Sequence, residues 1–251
     1  MLFVSCTKYK EEEFITKTAL GKSLDKWPEM YISMAVTPSA KLRTHIFYEN
    51  TRGLSVCYNE AIERCKQMIC WPVLADNTIS KDPVYEHDII LFVHDDVSIN
   101  DLFFLEKLEE GLKTFDILGL AGSSDFSINR SPIAWHNSPK DSWSGGVEHP
   151  QEPNLMYFNS FGPTPRRCLV IDGLFMAMNF NKLIESGVRF DEDFDFDFYD
   201  TSLCIRAILA GLKIGTTNIY CTHMSHGKGI LKDRYKECEA TFRQKYKGKR
   251  Q

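Results

Sequence analysis

The apolar run Ile89–Val93, followed directly by His94, Asp95 and Asp96, constrains the fold of this chain more than any other feature. Five large or β-branched apolar residues are typical of a buried strand, and the acidic pair marks where that strand leaves the sheet. In open α/β sheets, ligands bind at this carboxyl edge. Carboxylates there indicate a divalent cation, Mg²⁺ or Mn²⁺, although aspartates that cap the helix predicted at 101–113 explain these residues equally well.

The strand at 89–93 belongs to an alternating series of strand and helix patterns. Such alternation predicts an α/β fold in which helices flank a mostly parallel central sheet. The predicted strands lie at 2–6, 30–36, 45–48, 89–93 and 116–121, and the predicted helices at 11–24, 53–69 and 102–112.

Length and charge set only broad limits on the function. The chain has 251 residues and a formal net charge of −4 at pH 7. This length suits one large α/β domain or two small ones, and the mild charge does not by itself indicate nucleic acid or membrane as a partner. The first residues form too short an apolar run for a signal peptide, and no run approaches the roughly 20 residues that span a bilayer. We therefore expect a soluble, cytoplasmic protein without a transmembrane segment.

The segment 122–167 has no clear period and is rich in Gly, Ser, Pro and Asn. Long irregular stretches inside a compact domain are usually functional or disordered. Trp135 and Trp143 lie in this segment, where their rings are candidates to stack on a sugar or another acceptor. The alternative, in which they anchor a long loop to the core, fits the sequence as well.

A second acidic cluster covers 189–200. Its alternating aspartates resemble a calcium loop, but Phe196 stands where that loop needs Gly and Ser202 where it needs Glu. The residues that follow form an amphipathic pattern closed by Gly211, so Asp200 lies at or near the start of a helix. Asp200 is therefore a candidate general base, with a helix N-cap as the alternative.

Two features close the chain. His223 follows the predicted strand at 218–221 and is positioned to complete a metal site with Asp96, although a single histidine is more often a hydrogen-bonded loop residue. The tail at 228–251 is basic, and its pattern predicts a helix with Tyr235, Phe242 and Tyr246 facing inward. Its charge is either a solvated face or a contact for a phosphate-rich acceptor such as a lipid-linked glycan or nucleic acid.

Taken together, these motifs resemble family-2-type glycosyltransferases with the GT-A fold, and most closely the branch related to the streptomycin-biosynthesis glycosyltransferase-like domain. The resemblance extends from about residue 2 to residue 227. It is carried, in chain order, by Tyr58-Asn59-Glu60-Ala61-Ile62, His94-Asp95-Asp96, Val170-Ile171-Asp172-Gly173-Leu174-Phe175-Met176-Ala177, Phe190-Asp191-Glu192 with Tyr199-Asp200, and His223-x-Ser225-x-Gly227.

This resemblance implies a single GT-A, Rossmann-like catalytic domain at 1–227, with 122–167 on the acceptor side, and a C-terminal helix or tail at 228–251. It implies an inverting transfer of sugar from a nucleotide-diphosphate sugar, a UDP-sugar before others, to an acceptor hydroxyl. The implied roles are metal binding by Asp96 and His223, acceptor contacts by Trp135 and Trp143, catalysis by Asp200 with Asp197 as a rival, and donor binding by Ser5, Thr7, Asn59, Asp95, Asp172 and Gly173.

The rivalry arises because the family's usual acidic pattern is only partly present, with Tyr199 before Asp200 and Ser202 after it. Two other classes also use paired aspartates on an α/β sheet. A sugar-nucleotide nucleotidyltransferase would show a Gly-rich basic loop after the first strand, which the residues at 5–10 do not supply. A non-catalytic nucleotide- or glycan-binding protein is the other alternative.

Overall fold

The computed structural model describes residues 1–33, 43–70, 79, 84–152, 155–225 and 233–248. Its helices are α1 (Glu11–Lys17), α2 (Ala19–Ser33), α3 (Leu54–Gln67), α4 (Phe104–Thr114), α5 (Phe180–Ser186), α6 (Tyr199–Leu209) and α7 (Asp233–Tyr246). Its strands are β1 (Leu2–Cys6), β2 (Arg43–Phe47), β3 (Ile69–Cys70), β4 (Val84–Tyr85), β5 (Ile89–Val93), β6 (Val97–Ile99), β7 (Ile117–Gly119), β8 (Ala121–Ser123), β9 (Trp143–Glu152), β10 (Leu155–Gly162), β11 (Arg166–Arg167), β12 (Val170–Ile171), β13 (Phe175–Asn179), β14 (Ile214–Thr216) and β15 (Cys221–His223).

Within these residues the central sheet has the strand order β11-β14-β7-β13-β5-β1-β2. The expected α/β architecture is confirmed, with β5 near the middle of the sheet. The prediction of a mostly parallel sheet is wrong in one respect, because β13 pairs antiparallel with both β5 and β7. A parallel strand needs a crossover, usually a helix, but the connection from β8 to β12 is largely the β9–β10 hairpin. The next strand, β13, therefore enters the central sheet in the opposite direction.

Successive side chains of β5 point to opposite faces of the sheet, and each face has its own core. Ile90 and Phe92 pack in one cluster with Tyr58 of α3, whereas Leu91 and Val93 pack in the other with Phe104 of α4. Helices thus cover both faces, which explains why the run at 89–93 is uniformly apolar. This sandwich fixes the end of β5, where His94, Asp95 and Asp96 emerge.

The second sheet has the order β12-β8-β9-β15-β6, with β10 paired to β9. It differs from the expected irregular segment at 122–167, because β9 and β10 form a long antiparallel hairpin there. In this sheet β15 pairs with β6, the strand that follows β5 in the chain. His223 is thereby placed opposite Val97, one residue beyond Asp96.

The strand predicted at 30–36 is wrong where it can be checked, because residues 30–33 continue α2. The apolar string there resembles a strand, but Leu20, Ser23 and Trp27 are buried at helical spacing and extend the helix through it. Residues 34–36 lie outside the described residues. The short strand predicted at 45–48 is confirmed as β2, which pairs parallel with β1.

The predicted C-terminal helix is present as α7. Phe242 and Tyr246 are buried, in the same core cluster as Phe194 and Phe198. Among the described helices, we find none with the length and apolarity required to cross a bilayer.

Candidate active site

Three side chains meet where β5 and β15 end. One ligand atom from each of His94, Asp96 and His223 lies within 4.8 Å of the other two. His94 and Asp96 are two residues apart in the turn after β5, and His223 is the last residue of β15. The two sheets therefore bring together groups that are 129 positions apart in sequence, since 223 − 94 = 129.

Asp96 is the acidic member of this cluster. Its Oδ1 atom is buried and accepts no hydrogen bond from the described residues, and it lies 3.4 Å from Nε2 of His223. Burial alone would raise the pKa of Asp96, but the neighbouring imidazole of His223 holds that pKa below its usual value. Burial likewise opposes the charged form of His223, yet the carboxylate of Asp96 raises the pKa of His223. Asp96 and His223 therefore form a carboxylate–imidazole pair, and a cation that bound them would displace the proton from the imidazole.

The tautomer of His94 follows from its hydrogen bonds. The hydroxyl of Tyr199 donates to the carbonyl of Gly173 at 2.7 Å, so its single proton is already used. His94 Nε2, 2.7 Å from the same hydroxyl, must then be the donor, which leaves Nδ1 with a free lone pair. Burial lowers the pKa of His94 and favours this neutral form.

This donor set fits a divalent metal. The buried Oδ1 of Asp96 lies 3.4 Å from the imidazole of His223, and a cation between the two groups would bind both of them in place of the imidazole proton. Two imidazoles and one carboxylate suit Mn²⁺ and other transition metals, whereas Mg²⁺ prefers oxygen ligands. The capping alternative does not describe the acidic pair, because α4 begins only at Phe104, its N-cap is Phe103, and the turn before it is held by Asp101, whose Oδ1 accepts from the N–H of Phe103.

Asp200 lies in the first turn of α6, one residue after Tyr199. Its Oδ2 atom accepts from the N–H of Gly173 at 2.9 Å, and its Oδ1 atom from the N–H of Thr201 at 2.6 Å. Phe198, not Asp200, is the residue at the N-cap of α6. Burial, with a contribution from the negative charge of Asp172, raises the pKa of Asp200 to about 7. A carboxyl group with this pKa can accept a proton at neutral pH and is suited to general-base chemistry.

The turn at Asp172 and Gly173 joins these parts. Asp172 accepts from the indole N–H of Trp135 at 2.8 Å and from the N–H of Leu174 at 3.0 Å. A Cβ atom on Gly173 would collide with the hydroxyl of Tyr199, so only glycine allows the turn to approach α6 this closely. The carbonyl of Gly173 binds Tyr199 and its N–H binds Asp200, which fixes the start of α6 against the turn.

Two cavities adjoin Asp96. We call the first the lysine cavity; it has a volume of about 490 Å³ and is lined by Lys8, Tyr9, Lys17, Thr18, Ala19, Lys22, Lys26, Asp95, Asp96, Ser98 and Met224. We call the second the aromatic cavity; it has a volume of about 350 Å³ and is lined by His94, Asp96, Ile133, Ala134, Trp135, His136, Asp172, Gly173, Phe196, Asp197, Phe198, Tyr199, Asp200, Thr201, His223, Ser225 and Tyr235. Asp96 is shared, so one carboxylate faces both spaces.

A family model described as "Glycosyltransferase like family" matches residues 85–246 of this chain. The match includes His94, Asp96, Asp200 and His223. The chain belongs to this glycosyltransferase-like family. The expected GT-A type of fold is confirmed by this match and by the helix-flanked central sheet. Assignment to the streptomycin-related branch stays a prediction.

Several solved structures follow a similar course over part of the chain. S. aureus TarS 1-349 is 16% identical, with 89% of this chain and 60% of that chain covered and a TM-score of 0.46. The mannosyltransferase PcManGT from Pyrobaculum calidifontis, in complex with GDP-Man and Mn²⁺, is 13% identical, with coverages of 91% and 57% and a TM-score of 0.45. The catalytic domain of Drosophila beta1,4galactosyltransferase 7 is 11% identical, with coverages of 96% and 79% and a TM-score of 0.44. This glycosyltransferase-like chain thus spans about 60% of the TarS fragment, and no curated protein sequence matches it.

The structure brings most of the predicted catalytic and metal residues of this family member together. Asp96 and His223 are neighbours, and Asp200 lines the same cavity as its rival Asp197. The sequence assigned no role to His94, but its ring lies with Asp96 and His223 in the group that could hold a metal ion. The sequence signal for this role was the position of His94 directly before two aspartates. The structure also gives a role to Tyr199, which the sequence had marked only as the neighbour of Asp200 and whose hydroxyl lies 2.7 Å from Nε2 of His94.

The predicted donor residues do not all lie at one place in the structure. Asp95 accepts from the hydroxyl of Thr7 at 2.6 Å and lines the lysine cavity. Ser5 is buried on β1, and its hydroxyl has no hydrogen-bond partner among the described residues. Asn59 lies on α3, where its side-chain amide accepts from the N–H of Phe190 at 2.9 Å and donates to the carbonyl of Phe190 at 3.1 Å. Contact of these residues with a donor stays a prediction.

The two tryptophans also differ. Trp135 lines the aromatic cavity, whereas Trp143 packs behind it with the ring centroids 5.6 Å apart. The indole N–H of Trp143 donates to the carbonyl of Ser138, which anchors the loop. The sequence had left both interpretations open: the anchoring interpretation describes Trp143, and contact of Trp135 with an acceptor stays a prediction. His226 and Gly227 of the C-terminal motif lie outside the described residues.

Proposed function

We propose that this protein is a metal-dependent, inverting glycosyltransferase that moves a sugar from a nucleotide-diphosphate sugar to an acceptor hydroxyl. The observation that carries the proposal is the position of Asp96, which faces both the lysine cavity and the aromatic cavity. A diphosphate requires cationic partners and a hydroxyl acceptor requires a base, and the two cavities supply these separately. The donor would lie with its phosphates towards the lysines and its sugar towards Asp200.

The metal would be held by His94, Asp96 and His223. When bound, a divalent cation neutralises the charge that develops on the departing nucleotide diphosphate. Tyr199 fixes the tautomer of His94 for this purpose, in the way that outer hydrogen bonds generally orient metal-binding histidines. The imidazole-rich donor set leads us to expect a preference for Mn²⁺ over Mg²⁺.

Asp200 would act as the base. It takes the proton of the acceptor hydroxyl, whose oxygen forms a bond to the anomeric carbon while the bond from that carbon to the diphosphate breaks. Attack and departure on opposite faces invert the anomeric configuration, and no covalent intermediate is needed. Asp172 keeps the pKa of Asp200 high through its charge, and the N–H of Gly173 holds the Asp200 carboxylate in place.

The nature of the acceptor is suggested by the lining of the aromatic cavity. Rings of Trp135, Phe196, Phe198 and Tyr235 line it, and aromatic faces are good surfaces for the apolar faces of sugar rings. The basic residues of α7 are less available for a phosphate-rich acceptor than the sequence suggested: in this part of the structure, Arg234, Arg243 and Lys245 are all ion-paired within the protein. A glycan is therefore favoured over a nucleic-acid base.

The test is a screen of nucleotide sugars, UDP- and GDP-linked, with Mn²⁺ and a panel of neutral saccharides, monitored by release of the nucleotide diphosphate. Wild-type protein should release it, and Asp200→Asn should bind the donor but transfer nothing. Release by neither protein under any condition would contradict the proposal and leave the non-catalytic alternative. Pyrophosphate release from a nucleoside triphosphate and a sugar phosphate would identify a nucleotidyltransferase instead.

A further inference from the structure

The helix α7 contacts both walls of the aromatic cavity. One wall is the loop at 128–136, and the other is the segment at 194–201 that carries Asp200. Tyr235, Glu239, Phe242 and Tyr246 follow one another at spacings of four, three and four residues, and Arg243 lies four residues after Glu239, so they share one face of the helix. This face makes the contacts described below.

The loop wall is held through its backbone. The N–H of Ile133 donates to Glu239 at 3.0 Å, and the carbonyl of Ile133 accepts from the hydroxyl of Tyr235 at 2.6 Å. Arg243 pairs with Glu239 at 2.7 Å and donates to the carbonyls of Ile128 and Arg130. The loop at 128–133 contains no helix or strand, so its backbone groups need other partners, and α7 provides them for four of these groups.

The base wall is held through its side chains. The ring of Phe198 lies between those of Tyr235 and Phe242, with both centroid distances 5.0 Å. Phe198 has a φ of 67°, which is unfavourable for a bulky residue and must be maintained by its packing. Because Phe198 immediately precedes the first turn of α6, its ring position sets where Asp200 points. Farther along α7, Tyr246 donates to Asp191 at 2.6 Å, three residues before this segment.

We propose that Tyr235 is a specificity-determining residue for the acceptor, because it lines the aromatic cavity and ties the loop wall to the base wall. Its hydroxyl sets the distance of the loop, and its ring sets the position of Phe198 and hence of Asp200. The inference rests on the proposed function for the nature of the cavity. The mechanical coupling of the two walls through α7 does not depend on that function.

The kinetic test uses Tyr235→Phe, which removes the hydroxyl and keeps the ring. The KM for the saccharide acceptor should rise about three- to tenfold, as expected for the loss of the hydrogen bond from the Tyr235 hydroxyl to the carbonyl of Ile133. Tyr235→Leu should in addition lower kcat, because Phe198 loses its neighbour. Tyr220→Phe is the matched control: its hydroxyl bonds to Glu148, and Tyr220 is not among the described residues that line either cavity. Equal acceptor KM in wild type and Tyr235→Phe would overturn the proposal.

The second test needs no substrate. Amide hydrogen exchange, measured by mass spectrometry on the full chain, should become faster in Tyr235→Leu at both 128–136 and 194–201, with no change at 89–93 in the central strand. Exchange that rises in only one of the two segments would show that α7 does not couple the walls. If coupled exchange is seen but no sugar nucleotide is ever turned over, the proposed function fails while the coupling through Tyr235 stands.

Discussion

The two cavities that share Asp96 are built in opposite ways. The lysine cavity is lined by exposed cations on and before α1 and α2, whereas the aromatic cavity is lined by aromatic rings and by carboxyl groups, one of which, Asp172, accepts from the indole of Trp135. Exposed lysines attract charge without fixing its position, since their side chains are long and solvated. The carboxylate of Asp200, in contrast, is held in position by hydrogen bonds from the N–H groups of Gly173 and Thr201. The difference suggests that one side gathers an anionic donor and the other aligns the reaction.

The largest effect is expected for Asp200, which gives the aromatic cavity its base. Asp200→Asn should lower kcat for transfer by about 10²- to 10⁴-fold, the usual worth of general-base catalysis, without weakening donor binding. Asp197→Asn is the matched control, because Asp197 lines the same cavity and was the rival base. Steady-state kinetics of both variants decide between them. A greater loss in Asp197→Asn would transfer the role of base to that residue.

The next effect concerns the shared residue. Asp96→Asn should reduce Mn²⁺ affinity by about 100-fold, since it removes the charged ligand of the cluster. His94→Gln should weaken Mn²⁺ by about tenfold and narrow the gap between Mn²⁺ and Mg²⁺, because it exchanges an imidazole for an oxygen ligand. Isothermal titration calorimetry with each metal alone measures both effects. Unchanged Mn²⁺ affinity in His94→Gln would exclude His94 as a ligand.

A pH dependence follows from the raised pKa of Asp200. As a base, Asp200 is active when deprotonated, so kcat/KM should rise with pH and level off above the pKa of about 7. The same shift acts on stability with the opposite sign. The folded protein holds this proton more tightly than the unfolded chain does, so its contribution is present at pH 4 and is lost as pH rises through about 7.

Asp200→Asn should remove that loss. Its free energy of unfolding should exceed that of wild type by about 1–3 kcal/mol at pH 8 and by little at pH 4. Urea unfolding of both proteins at the two pH values measures the difference. A variant that is less stable than wild type at pH 8 would show that the charged carboxylate of Asp200 does not destabilise the folded protein.

The smallest effect belongs to the lysine cavity. Lys22→Ala should raise the KM for the nucleotide sugar by about two- to fivefold at low salt and less at high salt, because exposed charges are screened. The KM for the acceptor should stay the same. Lys236→Ala on α7 is the control, since its ion pair with Asp233 is fully on the surface. An effect of Lys22→Ala on the acceptor rather than the donor would reverse the assignment of the two cavities.

The sequence predicted the parts of this molecule that depend on local patterns. The apolar strand at 89–93 and its acidic exit, the helix before Gly211 and the inward face of α7 are all visible in residue spacing. It failed where neighbours decide the structure. Residues 30–33 have a strand-like composition but continue a helix whose face is buried, and β13 runs antiparallel because a hairpin replaces a crossover helix.

The same limit applies to the site. Asp96, His223 and Asp200 were recognisable because each follows a strand or starts a helix. His94 was not, because its role depends on Tyr199, which is 105 residues away in sequence. The link between Tyr235 and Ile133 spans 102 residues and joins a helix to a loop with no period of its own. Such side-chain contacts exist only after the chain has folded.

The most direct test of the account is calorimetric titration of UDP and GDP into wild-type protein and Asp96→Asn, each with Mn²⁺ and with EDTA. If Asp96 connects a diphosphate site to a metal site, at least one nucleotide should bind wild type with Mn²⁺, and its affinity should fall at least tenfold in EDTA and in Asp96→Asn. Equal affinity under all three conditions, or no binding of either nucleotide to wild type with Mn²⁺, would contradict it.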